Sequence, residues 1–348
     1  MLLGYVSIAL AQKFPAPTRV WSVGPLTKAE PATMGIVIGG KRTTVTGPQV
    51  DPQTGSRPAA TRSVVFAGDR IVIASKVGMR NVEGAQIPET VYQLLSLDIR
   101  TGEVKDTRDT SAFASLGVFA ACDEHIIMSG RSLMRLTPDL KDAGTFDGHA
   151  RGNKSWLVRN ISPGGSTLGN GTDSGFELID ARTLQARTLT DLSVSDASVS
   201  SKAAVSDSPF WFRDYPKAKS FATLTNERGR HLIFHGDCGG PQFLSDDRIL
   251  ISGCKTARII DTQGNVLHTI NLHDPVAFAG VSQNGRRFAL QLAGKCERFV
   301  VYSVDTGEPA AEVMPDEPPQ EQSWTAFSHD GTMLVVGSPL KLTLYRLP

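Results

Sequence analysis

Phe327-Ser328-His329-Asp330-Gly331-Thr332-Met333-Leu334-Val335 sets a tight polar turn directly against an apolar strand, and the same grammar runs through the chain. Working back from it, Asn284-Gly285-Arg286 precedes Phe288-Ala289-Leu290, and Asp246-Asp247-Arg248 precedes Ile249-Leu250-Ile251. Asp207-Ser208-Pro209 leads into Phe210-Trp211-Phe212, and Pro163-Gly164-Gly165 into Ser166-Thr167-Leu168. Asp123-Glu124-His125 stands before Ile126-Ile127-Met128, and Gly68-Asp69-Arg70 before Ile71-Val72-Ile73. That is about seven occurrences at a period of roughly 40 residues, the spacing of a blade-like repeat. Asp, Asn and Gly suit such turns because they tolerate positive φ or bond their own backbone, so each turn joins two antiparallel strands.

A second signature lies downstream of the first. Alternating strands end in an acidic residue and turn again: Leu95-Ser96-Leu97-Asp98 before Thr101-Gly102, Leu178-Ile179-Asp180 before Ala181-Arg182, Ile259-Ile260-Asp261 before Gln263-Gly264, and Tyr302-Ser303-Val304-Asp305 before Thr306-Gly307. These read as third strands turning into an outer fourth. From Thr61 to Pro348 no capped run keeps apolar residues at i, i+3, i+4 and i+7 for three turns, so helix should be scarce. Without helical crossovers the strands must be antiparallel, and radial closure removes most of their exposed edges. A pair of β-sandwiches would not require this long-range repeat. The expected fold is all-β: a single β-propeller of about seven four-stranded antiparallel blades.

The repeat resembles the WD40-like and related bacterial β-propeller families over nearly the whole chain from Thr61 onward. The residues that carry the resemblance are Phe327-Ser328-His329-Asp330-Gly331-Thr332 with Leu344-Tyr345-Arg346-Leu347, and Ile161-Ser162-Pro163-Gly164-Gly165 with Leu178-Ile179-Asp180. Gly148-His149 matches the Gly-His pair that the family places before an inner strand. No third strand ends in a Trp-Asp pair and Gly-His occurs once, so the resemblance implies the fold and says little about activity.

With 40% hydrophobic and 20% charged residues, the 348-residue chain can bury a large core and is globular. A net charge of +1 and the absence of a long Lys/Arg run argue against nucleic acid as a partner. Residues 12–348 read as one propeller domain, with the repeated blades in 61–348. The last blade shows three strands from Ser323 onward. Its fourth is expected from Thr18-Arg19-Val20-Trp21-Ser22-Val23, within 17–24, which would staple the ring and cover an edge. Residues 31–60, rich in Pro and Gly, read as an excursion over one face, with a small hairpin at Ile36 to Val45. Residues 1–11 end in Ala9-Leu10-Ala11, the pattern of a truncated signal peptide, which points to a secreted or periplasmic protein. No other stretch is long and apolar enough for a membrane span.

The four cysteines, Cys122, Cys238, Cys254 and Cys296, match no zinc template. Cys238 and Cys254 flank the Ser245 to Arg248 turn at nearly equal distances and should face each other across an antiparallel pair, so an exported chain is expected to join them in a disulfide. Cys122 and Cys296 are expected to stay unpaired.

In a propeller, loops entering inner strands and loops joining second to third strands share one face around the channel mouth. The repeat brings His149 and Arg151, His235 and Asp237, and His273 and Asp274 to the first kind of loop. Lys76 and Arg80, Arg131, Asn170 and Asp173, Asp214 with Tyr215 and Lys217, and Lys255 fall in the second. Arg80, Arg131, Asp173, Asp214, Lys217, Asp237 and Asp274 are therefore the expected binding face. His149, His235, His273, Tyr215 and Arg151 would be the acid, base and charge-stabilising groups if the chain were a lyase or hydrolase. Three His from different blades are more simply strand ties than a metal site, and neither metal nor cofactor is expected. His231 and His235 should share a strand face by parity. Trp21, Trp156, Trp211 and Trp324 sit in strand-like contexts and are expected between blades. The favoured reading is a monomeric, exported, non-catalytic propeller that recognises a protein, peptide or glycan.

Overall fold

The computed structural model describes residues 14–24, 28–29, 33–38, 41–46, 57–58, 60–80, 89–112, 116–130, 132–146, 158–172, 175–189, 197–206, 220–236, 240–252, 255–272, 276–292, 298–315, 324–337 and 341–348. Seven four-stranded antiparallel sheets form the blades of a ring, each running from an inner to an outer strand. Blade 1 comprises Ala60–Ala67, Arg70–Arg80, Glu89–Asp98 and Val104–Ala112, and blade 2 Gly117–Ala120, Ile126–Ser129, Leu133–Leu136 and Asp142–Phe146. Blade 3 comprises Val158–Ile161, Thr167–Thr172, Gly175–Asp180 and Ala186–Leu189, and blade 4 Ser198–Val199, Ala204–Ser206, Ser220–Asn226 and Gly229–Gly236. Blade 5 holds Gly240–Phe243, Arg248–Ser252, Thr256–Asp261 and Val266–Asn271, and blade 6 Val276–Val281, Arg287–Leu292, Arg298–Ser303 and Pro309–Val313. Blade 7 takes Trp324–Phe327, Met333–Gly337 and Leu342–Arg346 from the end of the chain and Thr18–Val23 from its beginning.

That borrowed strand closes the ring as the sequence predicts. It pairs antiparallel with Leu342–Arg346, from Thr18 opposite Arg346 to Val23 opposite Leu342, and the Ser22 and Thr343 hydroxyls lie 2.9 Å apart. The expected hairpin in the excursion is also present, as Thr33–Ile38 paired with Lys41–Thr46, and Lys28–Ala29 pairs with Arg57–Pro58. No helix among the described residues is long and apolar enough to cross a membrane.

The near-continuous apolar runs follow from the architecture, because each sheet is buried on both faces. Val64 and Phe66 of blade 1 pack with Val335 and Leu344 of blade 7, while the alternate residues Val65 and Ala67 pack with Val118 and Ile126 of blade 2. Among the described residues there are seven such apolar clusters, one at each junction between neighbouring blades. Trp21 and Trp324 both lie against the blade 7 to blade 1 cluster, as expected of packing tryptophans.

Two sequence expectations need correction in blade 4. Its inner hairpin turns at Ser200–Ala203, between Ser198–Val199 and Ala204–Ser206, rather than at Asp207-Ser208-Pro209. The apolar run Phe210-Trp211-Phe212 after that proline imitates a second strand, whereas the second strand of this blade ends at Ser206. His231 and His235 do not share a strand face either. Phe234 is opposite Ala222 but Leu232 is opposite Thr223, so Ile233 is an extra bulged residue that reverses the parity between the two histidines.

Candidate binding face

The antiparallel order sends every inner-to-second and third-to-outer turn to one face of the ring, the tight-turn face, and every second-to-third and blade-to-blade connection to the other, the long-loop face. On the tight-turn face, the recurring polar residues of the sequence build the turns themselves. In blade 1, Asp98 Oδ1 accepts the Arg100 and Thr101 amides at 2.8 and 3.0 Å; in blade 3, Asp180 accepts those of Arg182 and Thr183 at 3.0 and 2.7 Å. Asp261 does the same for Gln263 and Asn265 in blade 5, both at 2.9 Å. In the inner turns a serine hydroxyl accepts the amide five residues on: Ser162 from Thr167 at 3.0 Å, Ser282 from Arg287 at 3.0 Å and Ser328 from Met333 at 2.9 Å.

These bonds tune the carboxylates. The backbone amides of Arg100 and then Thr101 hold the Asp98 carboxyl below its ordinary range, and the Asn265 side chain does most to lower that of Asp261. At Asp180 and Asp330 partial burial pushes upward, and the donors of Thr183, and of Ser328 and Thr332, outweigh it. All four are turn-building carboxylates that favour their charged form.

Neighbouring blades lock together on the same side, where the outer part of one blade meets the third-to-outer turn of the next. Trp21 Nε1 donates to the Ile99 carbonyl at 2.9 Å, Arg108 to the Leu140 carbonyl at 3.0 Å, and Arg135 to the Arg182 carbonyl at 3.2 Å. Arg187 pairs with Glu227 at 2.6 Å, Gly264 lies under Ile233, and Gly307 lies under His268. Gln283, in the inner turn of blade 6, donates through Nε2 to the Ala120 carbonyl of blade 2 at 3.0 Å. Blades 6 and 2 are not neighbours, so this bond bridges the channel at its tight-turn end. His329 of blade 7 donates through Nδ1 to Gln283 Oε1 at 2.8 Å and fixes its orientation.

Of the expected site residues, Arg80 and His235 are among the described residues, at the ends of their strands toward the opposite, long-loop face. Arg80 ends the second strand of blade 1, in register with Glu89. His235 is exposed and lies on the outermost strand of blade 4, opposite Phe221. His149, Arg151, His273, Tyr215, Arg131, Asp173, Asp214, Lys217, Asp237 and Asp274 lie outside the described residues, as do Cys238 and Cys254. Cys122 is a free, partly buried thiol on the tight-turn side, at the end of the inner strand of blade 2.

Sequence reading passed over two buried carboxylates. Glu89 has no solvent exposure; it opens the third strand of blade 1 at its long-loop end and accepts the Ser111 hydroxyl at 3.1 Å. Glu177, 6% exposed, accepts the Asn170 amide at 3.1 Å, so Asn170 serves a buried pair rather than an open surface. A charged residue inside an apolar strand, as in Phe176-Glu177-Leu178, is the available signal, since burial without partners costs several kcal/mol. Compared with known proteins, the chain matches no protein-family profile and no curated sequence at a significant level.

Proposed function

We propose that this chain is an exported, non-catalytic binding propeller that holds a protein, peptide or glycan on its long-loop face. The observation that carries the reading is the condition of the other face. There the Asp, Ser and Thr side chains bond their own turns, and Gln283 bridges the channel between blades 6 and 2. A surface whose polar groups already bond the chain offers few to a partner, whereas loops held in convergence by rigid strands gather binding residues.

Export rests on the Ala9-Leu10-Ala11 pattern, and in an exported chain Cys238 and Cys254 would pair. The inner hairpin of blade 5 runs without a bulge from Phe243 opposite Ile249 to Gly240 opposite Ser252. Cys238 and Cys254 lie outside the described residues, and their pairing is proposed from their near-equal distances to the Ser245 to Arg248 turn.

Capture from the host's envelope and medium, together with a glycan panel, tests the proposal. Immobilised wild-type protein is compared with the long-loop variant D214K/K217E and the tight-turn variant Arg286→Glu. The expected result is a ligand held by wild type and Arg286→Glu and lost by the double variant. A ligand lost by Arg286→Glu and retained by the double variant overturns the assignment of the face.

A further inference from the structure

The seven inner strands border the channel, and in blades 1 and 3 an extra residue interrupts the inner ladder. In blade 1, Thr61 is opposite Ser75 and Ser63 opposite Ala74, so Arg62 is a bulged residue outside the ladder. In blade 3, Val158 is opposite Asn170 and Asn160 opposite Gly169, which leaves Arg159 in the same position. The neighbours of Arg159 record the effect. Val158 packs in the cluster shared with blade 2, whereas Asn160 Nδ2 donates to the Ala197 carbonyl of blade 4 at 2.8 Å. Residues of one parity thus serve opposite junctions, and the residue between them is assigned by alternation to neither.

Both bulges lie in the half of the channel nearer the long-loop face. Arg62 is the third residue of its strand and Arg159 the second, and each strand runs from that face to its tight turn. They also share a level, on either side of blade 2. The Ser63 hydroxyl donates to the Val118 carbonyl at 3.1 Å, and a Cβ on Gly117 would stand 3.2 Å from the Val158 carbonyl oxygen. Between the two arginines, then, the inner strand of blade 2 has a glycine.

The charge at this level is unbalanced. Among the described residues, the seven inner strands carry two charges, Arg62 and Arg159, and no carboxylate. The buried carboxylates Glu89 and Glu177 lie on third strands, two strands outward and roughly 10 Å away at the usual strand spacing. The far end of the channel is spanned by Gln283, bonded to the Ala120 carbonyl at 3.0 Å. Two like charges at one level of a narrow channel focus a positive field there, and an anion entering from the long-loop face relieves their repulsion.

We propose that Arg62 and Arg159 form an oxyanion site in the long-loop half of the channel, taking a dianionic phosphate or sulfate group. Guanidinium groups suit that charge and shape through paired, charge-assisted hydrogen bonds. The proposal rests on the reading of the long-loop face for its direction of access, and it gives the ligand held there an esterified phosphate or sulfate.

Titration calorimetry at constant ionic strength tests the site, with inorganic sulfate, inorganic phosphate, acetate, glucose 6-sulfate and glucose 6-phosphate as probes. Sulfate or phosphate should bind saturably, and acetate at least about tenfold more weakly. Arg62→Gln and Arg159→Gln should each weaken that binding by about tenfold, and the double variant should show none, while Arg286→Gln on the tight-turn face changes nothing. A sugar ester is expected to bind more tightly than the inorganic ion; the reverse order overturns the ester and leaves the free ion as the ligand. No saturable binding of sulfate or phosphate to the wild type overturns the site, whether or not the variants fold, and so does binding that survives in the double variant. The ions need no captured partner. A failed titration beside successful capture therefore overturns this site alone, and failed capture beside a successful titration overturns the reading of the face alone.

Discussion

At Asp261 the Asn265 side chain donates to Oδ2 at 2.7 Å while two backbone amides bond Oδ1. Its carboxyl is thereby held below the ordinary value of about 3.9, as are those of Asp98, Asp180 and Asp330. A carboxyl depressed in the folded state contributes stability that is complete above its unfolded pKa and is lost as pH falls through its folded pKa. Urea unfolding should therefore give a lower stability near pH 3 than near pH 7, and the difference should shrink in Asp261→Asn, which cannot titrate. An unchanged difference would mean that this carboxylate does not contribute. Three residues on, Gly264 adopts φ +90° with the Ile233 carbonyl where a Cβ would stand. Gly264→Ala should cost about 2 kcal/mol or more in the same measurement, from strain and clash together. Asp and Gly at these offsets were readable in the sequence as turn chemistry. That the aspartates are turn-builders on the face away from the proposed site emerges only when strand order is known.

Among the elements, the N-terminal strand ties the beginning of the chain to its end. Trp21 packs in the cluster that joins blades 7 and 1, bonds the Ile99 carbonyl, and covers the turn at Gly102. Trp21→Ala should destabilise the chain by about 3 kcal/mol, read from the thermal midpoint, because it opens the one junction made by the two ends of the repeat. The pairing was legible because the last blade lacked a strand and Thr18–Val23 was available to fill it. Blade 4 was less legible, since its inner strands are only two and three residues long and Phe210-Trp211-Phe212 offered a stronger apolar run nearby. The bulge at Ile233 is invisible to a parity argument for the same reason: alternation assumes that no residue is added to one side of a ladder. The cysteine spacing around the Ser245 to Arg248 turn makes its own prediction. Thiol counting under denaturing, non-reducing conditions should find two reactive cysteines in protein from an oxidising compartment, and four would refute the Cys238–Cys254 bond.

For the whole molecule, a regular repeat specifies the ring because every blade depends on a neighbour for half of its burial, and the seven clusters distribute the core evenly around the channel. The same regularity is why the scaffold reads clearly while the ligand does not: turns and strands obey periodic rules, and the connections that carry Tyr215, Lys217 or His273 obey none. The bridge from Gln283 to Ala120 joins residues 163 apart in sequence and belongs to no motif, so only the folded ring discloses that one end of the channel is spanned. The central claim, that partners bind at the long-loop face, is tested most directly by amide hydrogen exchange with and without a captured ligand. Protection should concentrate in peptides covering 81–88, 207–219, 237–239 and 293–297, with the turns at 99–103, 283–286 and 329–332 unchanged. Protection confined to those turns, with the long connections unaffected, would contradict the account.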